Sequence, residues 1–431
     1  MWKTAKSVMG FELMRDYHEK YGDFVRVGPC ELSISHPDAI NALYSAQSRC
    51  IKGPWYDILQ PYRSLFGVRD RNEHRRRRKV WHDAFQPKAI NDYELLMEPC
   101  INELISLISR CAESKTPVDM TTTFGCLTGK PHYMMEYLHK SNLSTGVMIR
   151  AVWLIFFLRQ LPVFSQAMQQ IIDFTESAME HRLSKSENTR DVFTWLWEDH
   201  CANAHNSVEE DRNLVADASL SIFAGSDTVS ITMTGILYYL MCHSDYQVKL
   251  LQEFLSAERE RGVLTAGQLA SLPLLNGVIK ETLRLHYPGP SGFPRITPPE
   301  GVQIGDTFIP GGVHVKVPIY TVYRDSRNFA QPEAFIPERW TTKKELVLQP
   351  QAFAPFLIGP YNCVGKQLAL IQIRLVTYKI LRVFEVLPLS QQELVHYWNH
   401  RADGFNLGLG PLKTMFKHRT RPLEGDGHSL P

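Results

Sequence analysis

A cysteine set between two glycines, directly ahead of an amphipathic helix pattern, constrains this chain more than any other feature. Cys363 lies between Gly359 and Gly365 in the stretch Phe-Leu-Ile-Gly-Pro-Tyr-Asn-Cys-Val-Gly-Lys, residues 356–366. Glycines let the backbone approach a flat, bulky group closely. The start of a helix offers free N–H groups and positive dipole character, which favour a thiolate over a thiol. The sequence therefore predicts a sulfur ligand for iron, with Phe356 shielding the sulfur from water. The alternative is a buried structural cysteine in a glycine turn.

The composition indicates a large globular fold and excludes several other classes. The chain has 431 residues, 44% of them hydrophobic, and a formal net charge of +2. These values do not fit a disordered, collagenous or coiled-coil chain, and near-neutrality argues against a dedicated nucleic-acid binder. The eight cysteines contain no Cys-x-x-Cys pair, which excludes a cysteine-rich zinc module and gives no disulfide framework. A reduced, cytosol-facing protein is the default interpretation.

The periodicity of the chain predicts one mainly helical domain with small sheets at one end. The predicted segments, in chain order, are a helix over 11–22, a β-hairpin around Gly28-Pro29, mainly helices over 74–286 with the longest over 213–242, strands and turns over 288–345, and a long helix from Cys363 to Phe384. No linker divides these segments. We therefore predict a single domain over 1–416, followed by a polar, frayed tail over 417–431.

The sequence contains no uninterrupted apolar run of about 20 residues, the length that a transmembrane helix needs. Its first residues, Met1-Trp2-Lys3-Thr4, lack the charged-then-apolar pattern of a signal peptide. The most membrane-like segment, residues 147–164, is interrupted by Arg150 and Arg159 and broken at Pro162. We interpret this segment as a buried helix, and the alternative is a surface that dips into a bilayer.

Inside the longest helix pattern, residues 224–228 (Ala-Gly-Ser-Asp-Thr) set a glycine, an acid and a hydroxyl side by side. Glycine within a helix costs about 1 kcal/mol relative to alanine, which is tolerable where another group must lie close to the backbone. Thr228 can return its hydroxyl to a carbonyl one turn earlier and open the helix. The opening would leave room for a diatomic ligand and a water, with Asp227 relaying protons. Without further context, an ordinary helix with an exposed Asp227 and a packed Thr228 is the better interpretation.

Two charged motifs also admit a simple interpretation when each is taken alone. Glu281 and Arg284 are three residues apart on a helix pattern and can form an ion pair, which is most simply a solvated surface pair. Residues 75–79 are five consecutive cations, and they suggest a nucleic acid, an acidic partner or a solvated face. His74 and Arg78, four residues apart, share one face of that helix pattern.

In their order and spacing, these motifs resemble those of the cytochrome P450 family. The cysteine loop of that family reads Phe-x-x-Gly-x-Arg-x-Cys-x-Gly, and its cysteine ligates haem iron. The matching residues are Phe356, Gly359, Cys363 and Gly365. Tyr361 stands at the arginine position, which in the family pairs with a haem propionate, so this contact retains a hydrogen-bond donor but loses its charge. The resemblance covers nearly the whole chain and implies a mainly α fold with small β-sheets, the cytochrome P450 fold, around haem b (iron protoporphyrin IX).

The resemblance also implies roles for the central helix and the charged motifs. In the family, a stretch like residues 224–228 serves oxygen activation, so Asp227 and Thr228 are the implied catalytic pair. The Glu-x-x-Arg motif joins a later Pro-Glu-Arg-Phe-like segment, here residues 337–340, in a buried network that fixes the core around the haem. The residues implied for this structural network are Glu281, Arg284 and Arg339. The residues implied to contact the haem propionates are His74, Arg78, Arg295 and, without charge, Tyr361.

The implied activity is that of a haem-thiolate monooxygenase, which inserts one oxygen atom from O2 into a C–H bond of a lipophilic small molecule. The cofactor would carry the chemistry, while the protein supplies the Cys363 thiolate, proton delivery and a dry pocket. Electrons would come from NADPH through cytochrome P450 reductase, with cytochrome b5 as a second donor, docked on the remaining cations of 75–79 and on Lys366. The form of the cysteine loop resembles fungal members of the family, many of which serve secondary metabolism such as terpenoid tailoring.

Substrate contacts are expected from four segments that are mainly apolar or small, residues 55–65, 223–224, 291–293 and 403–407. Microsomal members of the family begin with a membrane helix and a proline-rich hinge, whereas this sequence opens inside the first helix of the catalytic domain. We expect the protein on the cytosolic face of the endoplasmic reticulum membrane, in contact through surfaces such as 147–164. A cytoplasmic protein is the alternative.

Four other functions remain open at this point. A peroxygenase or isomerase of the same fold would need no reductase, although the Asp227-Thr228 pair argues against it. A haem-binding or substrate-binding pseudoenzyme would follow if Tyr361 impairs the site. A zinc enzyme would use His396 and His400 with Glu393, whose order differs from His-Glu-x-x-His. Nucleic-acid binding rests on the arginine run alone.

Overall fold

The computed structural model describes residues 9–127, 157, 162–185, 190–203 and 207–419. Most of residues 147–164 lies outside the described residues, so the membrane-contact interpretation of that segment stays a prediction. Elsewhere the structure is mainly helical, with several small sheets, as the sequence predicted.

Helices and strands are numbered here in chain order within the described residues. The α-helices are α1 Gly10–Tyr21, α2 Ala39–Tyr44, α3 Arg71–Ala84, α4 Pro87–Ser114, α5 Met120–Leu127, α6 Pro162–Ser184, α7 Val192–Asn203, α8 Val208–Cys242, α9 Asp245–Arg261, α10 Ala266–Leu269, α11 Pro273–Leu285, α12 Ile319–Val322, α13 Lys366–Val383 and α14 Gln391–Asn399. The strands are β1 Phe24–Gly28, β2 Glu31–Ile34, β3 Val118–Asp119, β4 Arg295–Ile296, β5 Val302–Ile304, β6 Thr307–Ile309, β7 His314–Lys316, β8 Phe384–Pro388, β9 Ala402–Gly404, β10 Asn406–Gly408 and β11 Lys413–His418.

Side-chain caps determine where two of the helices begin. The Asp70 carboxylate accepts hydrogen bonds from the backbone N–H groups of Asn72 and Glu73, at 3.0 and 2.8 Å, at the start of α3. The Ser207 hydroxyl accepts from the N–H of Glu210 at 3.2 Å at the start of α8. Caps of this kind satisfy N–H groups that have no partner inside the helix. These two helices carry the predicted site residues 74, 78, 227 and 228.

A four-stranded sheet in the order β1-β2-β7-β4 contains the predicted hairpin. Strands β1 and β2 pair antiparallel around Gly28-Pro29, β7 runs parallel to β2, and β4 pairs antiparallel with β7. Arg295, the first residue of β4, is therefore held at the edge of this sheet opposite β1, paired with Val315.

A three-stranded sheet in the order β3-β11-β8 changes one predicted boundary. Strand β11 extends to His418, and Arg419 Nε donates to the carbonyls of Leu381 and Phe384 at 2.9 and 3.0 Å. The predicted start of a frayed tail at 417 was too early. Polar composition alone does not reveal strand pairing, because the ladder hydrogen bonds use backbone groups.

Helix α8 passes through the main hydrophobic core and contacts α5, α6, α7, α11 and α13. Its buried residues Met233, Ile236, Leu237 and Leu240 recur at intervals of three and four, which places them on one helical face. Within the described part of the chain, α8 is the one helix long and apolar enough to cross a membrane, and half of its most apolar window is buried. Burial in the core accounts for this apolarity.

We predict that Gln247→Leu lowers the free energy of unfolding by about 2–4 kcal/mol. The Gln247 amide donates to the carbonyls of Leu240 and Val386, at 2.9 and 2.8 Å, and accepts from the N–H of Val386 at 2.9 Å. Leucine has a similar volume but leaves these buried backbone groups unpaired, at about 1–3 kcal/mol for each group. Urea unfolding followed by circular dichroism measures the loss. Gln252→Leu, an exposed position on the same helix, is the control, and equal losses in the two variants would contradict the prediction.

Candidate functional site

The cysteine loop is closed by its own backbone and presents Cys363 at the start of α13. The N–H of Cys363 donates to the carbonyl of Phe356 at 2.8 Å. Gly359 has a φ of +71°, and a Cβ there would lie 2.3 Å from the carbonyl oxygen of Tyr44, so glycine is the residue that fits. Gly365 immediately precedes α13, and its N–H donates to the sulfur of Cys363. The loop residues singled out in the sequence thus shape one turn around the sulfur.

Burial affects the acidity of Cys363 more than the start of the helix does. The residue retains accessible surface, yet burial raises the pKa of its thiol and outweighs the lowering by the Gly365 N–H, Arg78 and Lys366. The sequence argument that the helix start favours a thiolate is therefore insufficient for the protein alone, because desolvation of the charged form is the larger effect. A coordinated metal ion would supply the missing stabilisation, since a thiol that coordinates a metal is deprotonated.

The predicted cationic residues come together against this loop. The ring of His74 contacts the ring of Tyr361 edge-on, with centroids 4.7 Å apart. Arg78 donates to the backbone carbonyl and the side-chain oxygen of Asn362, at 2.6 and 2.7 Å. The Arg295 guanidinium carbon lies 5.0 Å from the centroid of the Tyr361 ring. Helix α3 and strand β4 therefore converge on the residues just ahead of the cysteine. Asn362 was not anticipated, and its only signal was a polar side chain next to Cys363.

No carboxylate among the described residues forms an ion pair with His74, Arg78 or Arg295. Burial first, and then repulsion from Lys52 and Arg78, lowers the pKa of His74 to about 3. The hydroxyl of Tyr361 and the Nε of Arg295 are buried and have no hydrogen-bond partner among the described residues. Leaving a buried donor unpaired costs about 1–3 kcal/mol. A bound carboxylate group would satisfy both donors and offset the excess positive charge.

Helix α8 leaves space beside the predicted oxygen-activating segment. Ala224 and Gly225 are exposed within a helix whose core segments are buried, and no atom lies within 4 Å of a Cβ built on Gly225. The Thr228 hydroxyl donates to the carbonyl of Ala224 at 2.9 Å, as the sequence suggested. The expected opening of the helix does not occur, because α8 is continuous from Val208 to Cys242. Asn406 Nδ2 donates to Asp227 Oδ2 at 3.4 Å and so links α8 to strand β10.

Glu281 lies at the centre of a buried ion network. Arg284 donates to both of its oxygens at 3.0 and 2.8 Å, and Arg339 Nε donates to Oε1 at 2.9 Å. All three side chains are 0% exposed. The indole N–H of Trp340 and the backbone N–H of Ile336 complete the set, at 2.9 and 3.0 Å. The guanidinium groups also donate to backbone carbonyls from residues 323–346. Each buried charge is thereby paired, which such a network requires.

Trp340 and Ile336 were missed by the sequence reasoning. The sequence contained one signal for Trp340. Tryptophan replaces phenylalanine at the final position of the Pro-Glu-Arg-Phe-like segment, and indole, unlike the phenyl ring, carries an N–H donor. A backbone donor such as that of Ile336 has no sequence signal.

The basic run over 75–79 does not form a single cationic face. Arg77 is buried and donates to Asp217 Oδ2 at 2.5 Å, joining α3 to α8. Arg76 pairs with an acid one turn earlier on α3. Arg75 and Lys79 are exposed. The expectation that all the remaining cations dock a partner was wrong for Arg77, because burying it against Asp217 gives it a structural role.

Three of the four predicted substrate segments meet in an aromatic cluster, defined as Trp55, Tyr56, Phe66, Phe293 and Phe405. The rings of Trp55 and Phe405 stack with centroids 5.0 Å apart, and Phe293 contacts Phe405 at 5.8 Å. Phe405 directly precedes Asn406, so the cluster adjoins the acid of α8. Phe66 lies just beyond the predicted range of 55–65.

The residues proposed for a zinc site do not form one. The rings of His396 and His400 lie 3.8 Å apart, but Glu393 pairs with Lys413 at 3.6 Å. No group of three or more His, Cys, Asp or Glu side chains in the described ranges is arranged to hold a metal ion.

Comparison with known proteins agrees with this geometry. The family model described as "Cytochrome P450" matches residues 127–416. Cytochrome P450 monooxygenase phqL of Penicillium fellutanum is 44% identical over 96% of this chain and 76% of its own length. Cytochrome P450 monooxygenase orf5 of Eupenicillium brefeldianum is 35% identical over 97% of this chain and 88% of its own length. Tryprostatin B 6-hydroxylase of Aspergillus fumigatus is 34% identical over 95% of this chain and 76% of its own length.

The chain belongs to the cytochrome P450 family, a class of haem-thiolate monooxygenases that use haem b, a redox partner and a small-molecule substrate. The residues present fit that cofactor. Cys363, which retains accessible surface, would supply the sulfur ligand of the haem iron, and the open space at Gly225 would leave room on α8 for a bound group. The unpaired donors of Tyr361 and Arg295 suit the propionate carboxylates.

We predict that Arg284→Met destabilises the protein by about 3–5 kcal/mol, because it leaves the buried Glu281 carboxylate with a single guanidinium partner. Trp340→Phe removes one hydrogen bond to the same carboxylate, and we expect a loss of about 1.5–3 kcal/mol. Denaturant unfolding of the haem-loaded protein measures both values. Arg382→Met breaks an exposed ion pair with Glu258 and is the control, with an expected loss of at most about 1 kcal/mol. A loss for Arg284→Met no larger than that of the control would rule out the network as a structural element.

Proposed function

We propose that this protein hydroxylates a lipophilic, ring-bearing small molecule of fungal secondary metabolism, with Cys363 as the axial ligand of haem b and NADPH–cytochrome P450 reductase as the electron donor. The observation that carries the proposal is the position of Cys363. This residue retains accessible surface at the start of α13 and lies beside Arg78, which forms no ion pair with a carboxylate of the described residues.

In this proposal each predicted residue has a defined task toward the cofactor. When bound, haem b supplies the activation of O2 and the transfer of one oxygen atom to the substrate. The side chains that hold its propionates are His74, Arg78, Arg295 and Tyr361. Gly359 and Gly365 shape the turn around the sulfur, and Phe356 shields it from water. The buried network of Glu281, Arg284 and Arg339 holds the segments that support this loop.

In this proposal Asp227 and Thr228 of α8 handle protons. The hydroxyl of Thr228 donates its proton to the Ala224 carbonyl. The lone pairs of its oxygen can therefore accept a hydrogen bond from a water molecule. The Asn406 amide donates to Asp227 Oδ2 at 3.4 Å and links this carboxylate to strand β10. In this proposal Asp227 relays protons along α8 toward Thr228, the next residue of the chain.

The aromatic cluster supports a substrate that carries a flat ring. Offset and edge-to-face contacts add about 0.5–1.5 kcal/mol per ring pair beyond burial, and the rings of Trp55, Phe293 and Phe405 are arranged in these ways. Two of the relatives are named as 6-hydroxylases of tryprostatin B, which supports hydroxylation as the reaction. A terpenoid substrate, expected from the form of the cysteine loop, has no specific support among these contacts.

Three exposed lysines near the start of α13 suit an acidic redox partner. Lys280, Lys344 and Lys366 are all exposed. Partial burial, and then repulsion from neighbours including Lys366 and Lys344, lowers the pKa of Lys280, so these charges lie near one another. Complementary charge on a partner would speed docking. This partner supports a location on the cytosolic face of the endoplasmic reticulum membrane.

The carbon monoxide difference spectrum of the reduced protein tests the central claim. We expect a strongly red-shifted Soret band in the wild type and its loss in Cys363→Ser, because only thiolate ligation gives that band. Cys100→Ser, at an exposed cysteine, is the control and should keep the band. A band that persists in Cys363→Ser, or a folded wild type that binds no haem when haem is supplied, would refute the assignment.

Charge reversal tests the docking surface. We predict that Lys280→Glu slows reduction of the haem by NADPH–cytochrome P450 reductase by about tenfold at low salt, and that the difference shrinks as ionic strength rises. Lys88→Glu, an exposed lysine of α4, is the matched control. Equal rates for the two variants, or a difference that does not depend on salt, would place the docking surface elsewhere.

A further inference from the structure

Lys52 is a buried lysine whose charged form has one more hydrogen-bond donor than its two backbone partners use. It precedes the turn Pro54–Leu59, is 3% exposed, and donates from Nζ to the carbonyls of Leu65 and Phe66 at 3.0 and 2.8 Å. An ammonium group has three N–H donors. The third has no acceptor among the residues that the structure describes. A buried donor of this kind points toward a ligand.

The surroundings of Lys52 are strongly cationic. Burial, followed by repulsion from Arg295, Arg78 and Arg77, lowers the pKa of Lys52 to about 6, and Asp217 opposes this shift only weakly. Asp217 is itself bonded to Arg77 at 2.5 Å. No carboxylate in the described part of the chain forms an ion pair with Lys52. Burial and these cations disfavour the charged form of Lys52, and a bound anion would favour it, so this position suits a negatively charged ligand.

Lys52 lies next to the cysteine loop. Lys52 Nζ is 4.8 Å from the centroid of the Tyr361 ring, and the Arg295 guanidinium is 5.0 Å from the same centroid. Tyr361 occupies the loop position at which the family pattern has arginine. Lys52, from a distant segment of the chain, thus places its amino group beside the tyrosine that stands where the family pattern has arginine.

We propose that Lys52 binds a propionate of haem b and supplies the positive charge that Tyr361 does not carry. This inference rests on the proposed role of Cys363 as the haem ligand. In the complex, the third N–H of Lys52 donates to the carboxylate, while the carbonyls of Leu65 and Phe66 and the face of the Tyr361 ring hold the ammonium in place. Lys52 is therefore a cofactor-binding residue and takes no part in the oxygen chemistry.

Two forms of the cofactor test the contact directly. The full chain is stripped of haem and titrated with haem b or with its dimethyl ester, in which both propionates are uncharged. We expect the wild type to favour haem b over the ester, and Lys52→Met to reduce that preference about tenfold. Lys88→Met controls for the loss of a lysine charge and should match the wild type. An unchanged preference in Lys52→Met overturns the proposal.

A second variant separates a lost contact from a damaged fold. Tyr361→Arg returns a cation to the loop, so we expect Lys52→Met/Tyr361→Arg to regain the preference for haem b that Lys52→Met loses. The propionate bending modes in the resonance Raman spectrum should shift in Lys52→Met and return toward the wild type in the double variant. Modes that are identical in wild type and Lys52→Met would show that Lys52 makes no such contact, even if the single variant binds haem poorly.

The two proposals fail in distinguishable ways. Loss of the red-shifted carbon monoxide band in the wild type would refute the role of Cys363, whatever Lys52 does. A wild type that has the band, together with a Lys52→Met variant whose haem preference and propionate modes are unchanged, would refute the role of Lys52 alone.

Discussion

The rest of the structure depends on one buried carboxylate, that of Glu281, held between two guanidinium groups. It joins helix α11 to the segment 336–340, and the arginines extend the network to carbonyls in residues 323–346. These segments immediately precede the cysteine loop. A set of buried charges is tolerated only when each member is paired, so the network admits very few arrangements of the chain around it. The position of the loop that carries Cys363 depends on that restriction.

Beside the cysteine loop, in contrast, positively charged groups have no carboxylate partner among the described residues. Lys52 and Arg295 lie near the ring of Tyr361, and no carboxylate in the described residues neutralises them. A protein core that pairs its ions fully at Glu281 and leaves cations exposed to one another here is organised to receive an anion. Unpaired buried donors raise the free energy of the protein, and a carboxylate-bearing cofactor that pairs with them would lower it. This difference would favour binding of the cofactor.

Much of the fold and of the candidate site could be predicted from the sequence, because both leave local patterns. The long helices were recognisable from apolar periodicity, and the cysteine loop from glycines at fixed spacing. The pairing of Glu281 with Arg284 followed from a separation of three residues on a helix. Predictions that depended on the balance between competing interactions were less accurate. The thiol of Cys363 has a raised pKa because burial outweighs the helix start, and α8 stays continuous at Thr228 despite its side-chain hydrogen bond.

By itself, the sequence determined the helical architecture, the loop that carries Cys363 and the family to which the chain belongs, since these depend on residue type at short spacings. Only the tertiary structure decided that Arg77 is buried against Asp217, that Trp340 bonds to Glu281, and that Lys52 meets the ring of Tyr361. These partners are separated by 59 to 309 positions along the chain. Whether a charged side chain faces solvent, an ion partner or a ligand depends on which distant segments pack around it, and no local pattern records that choice.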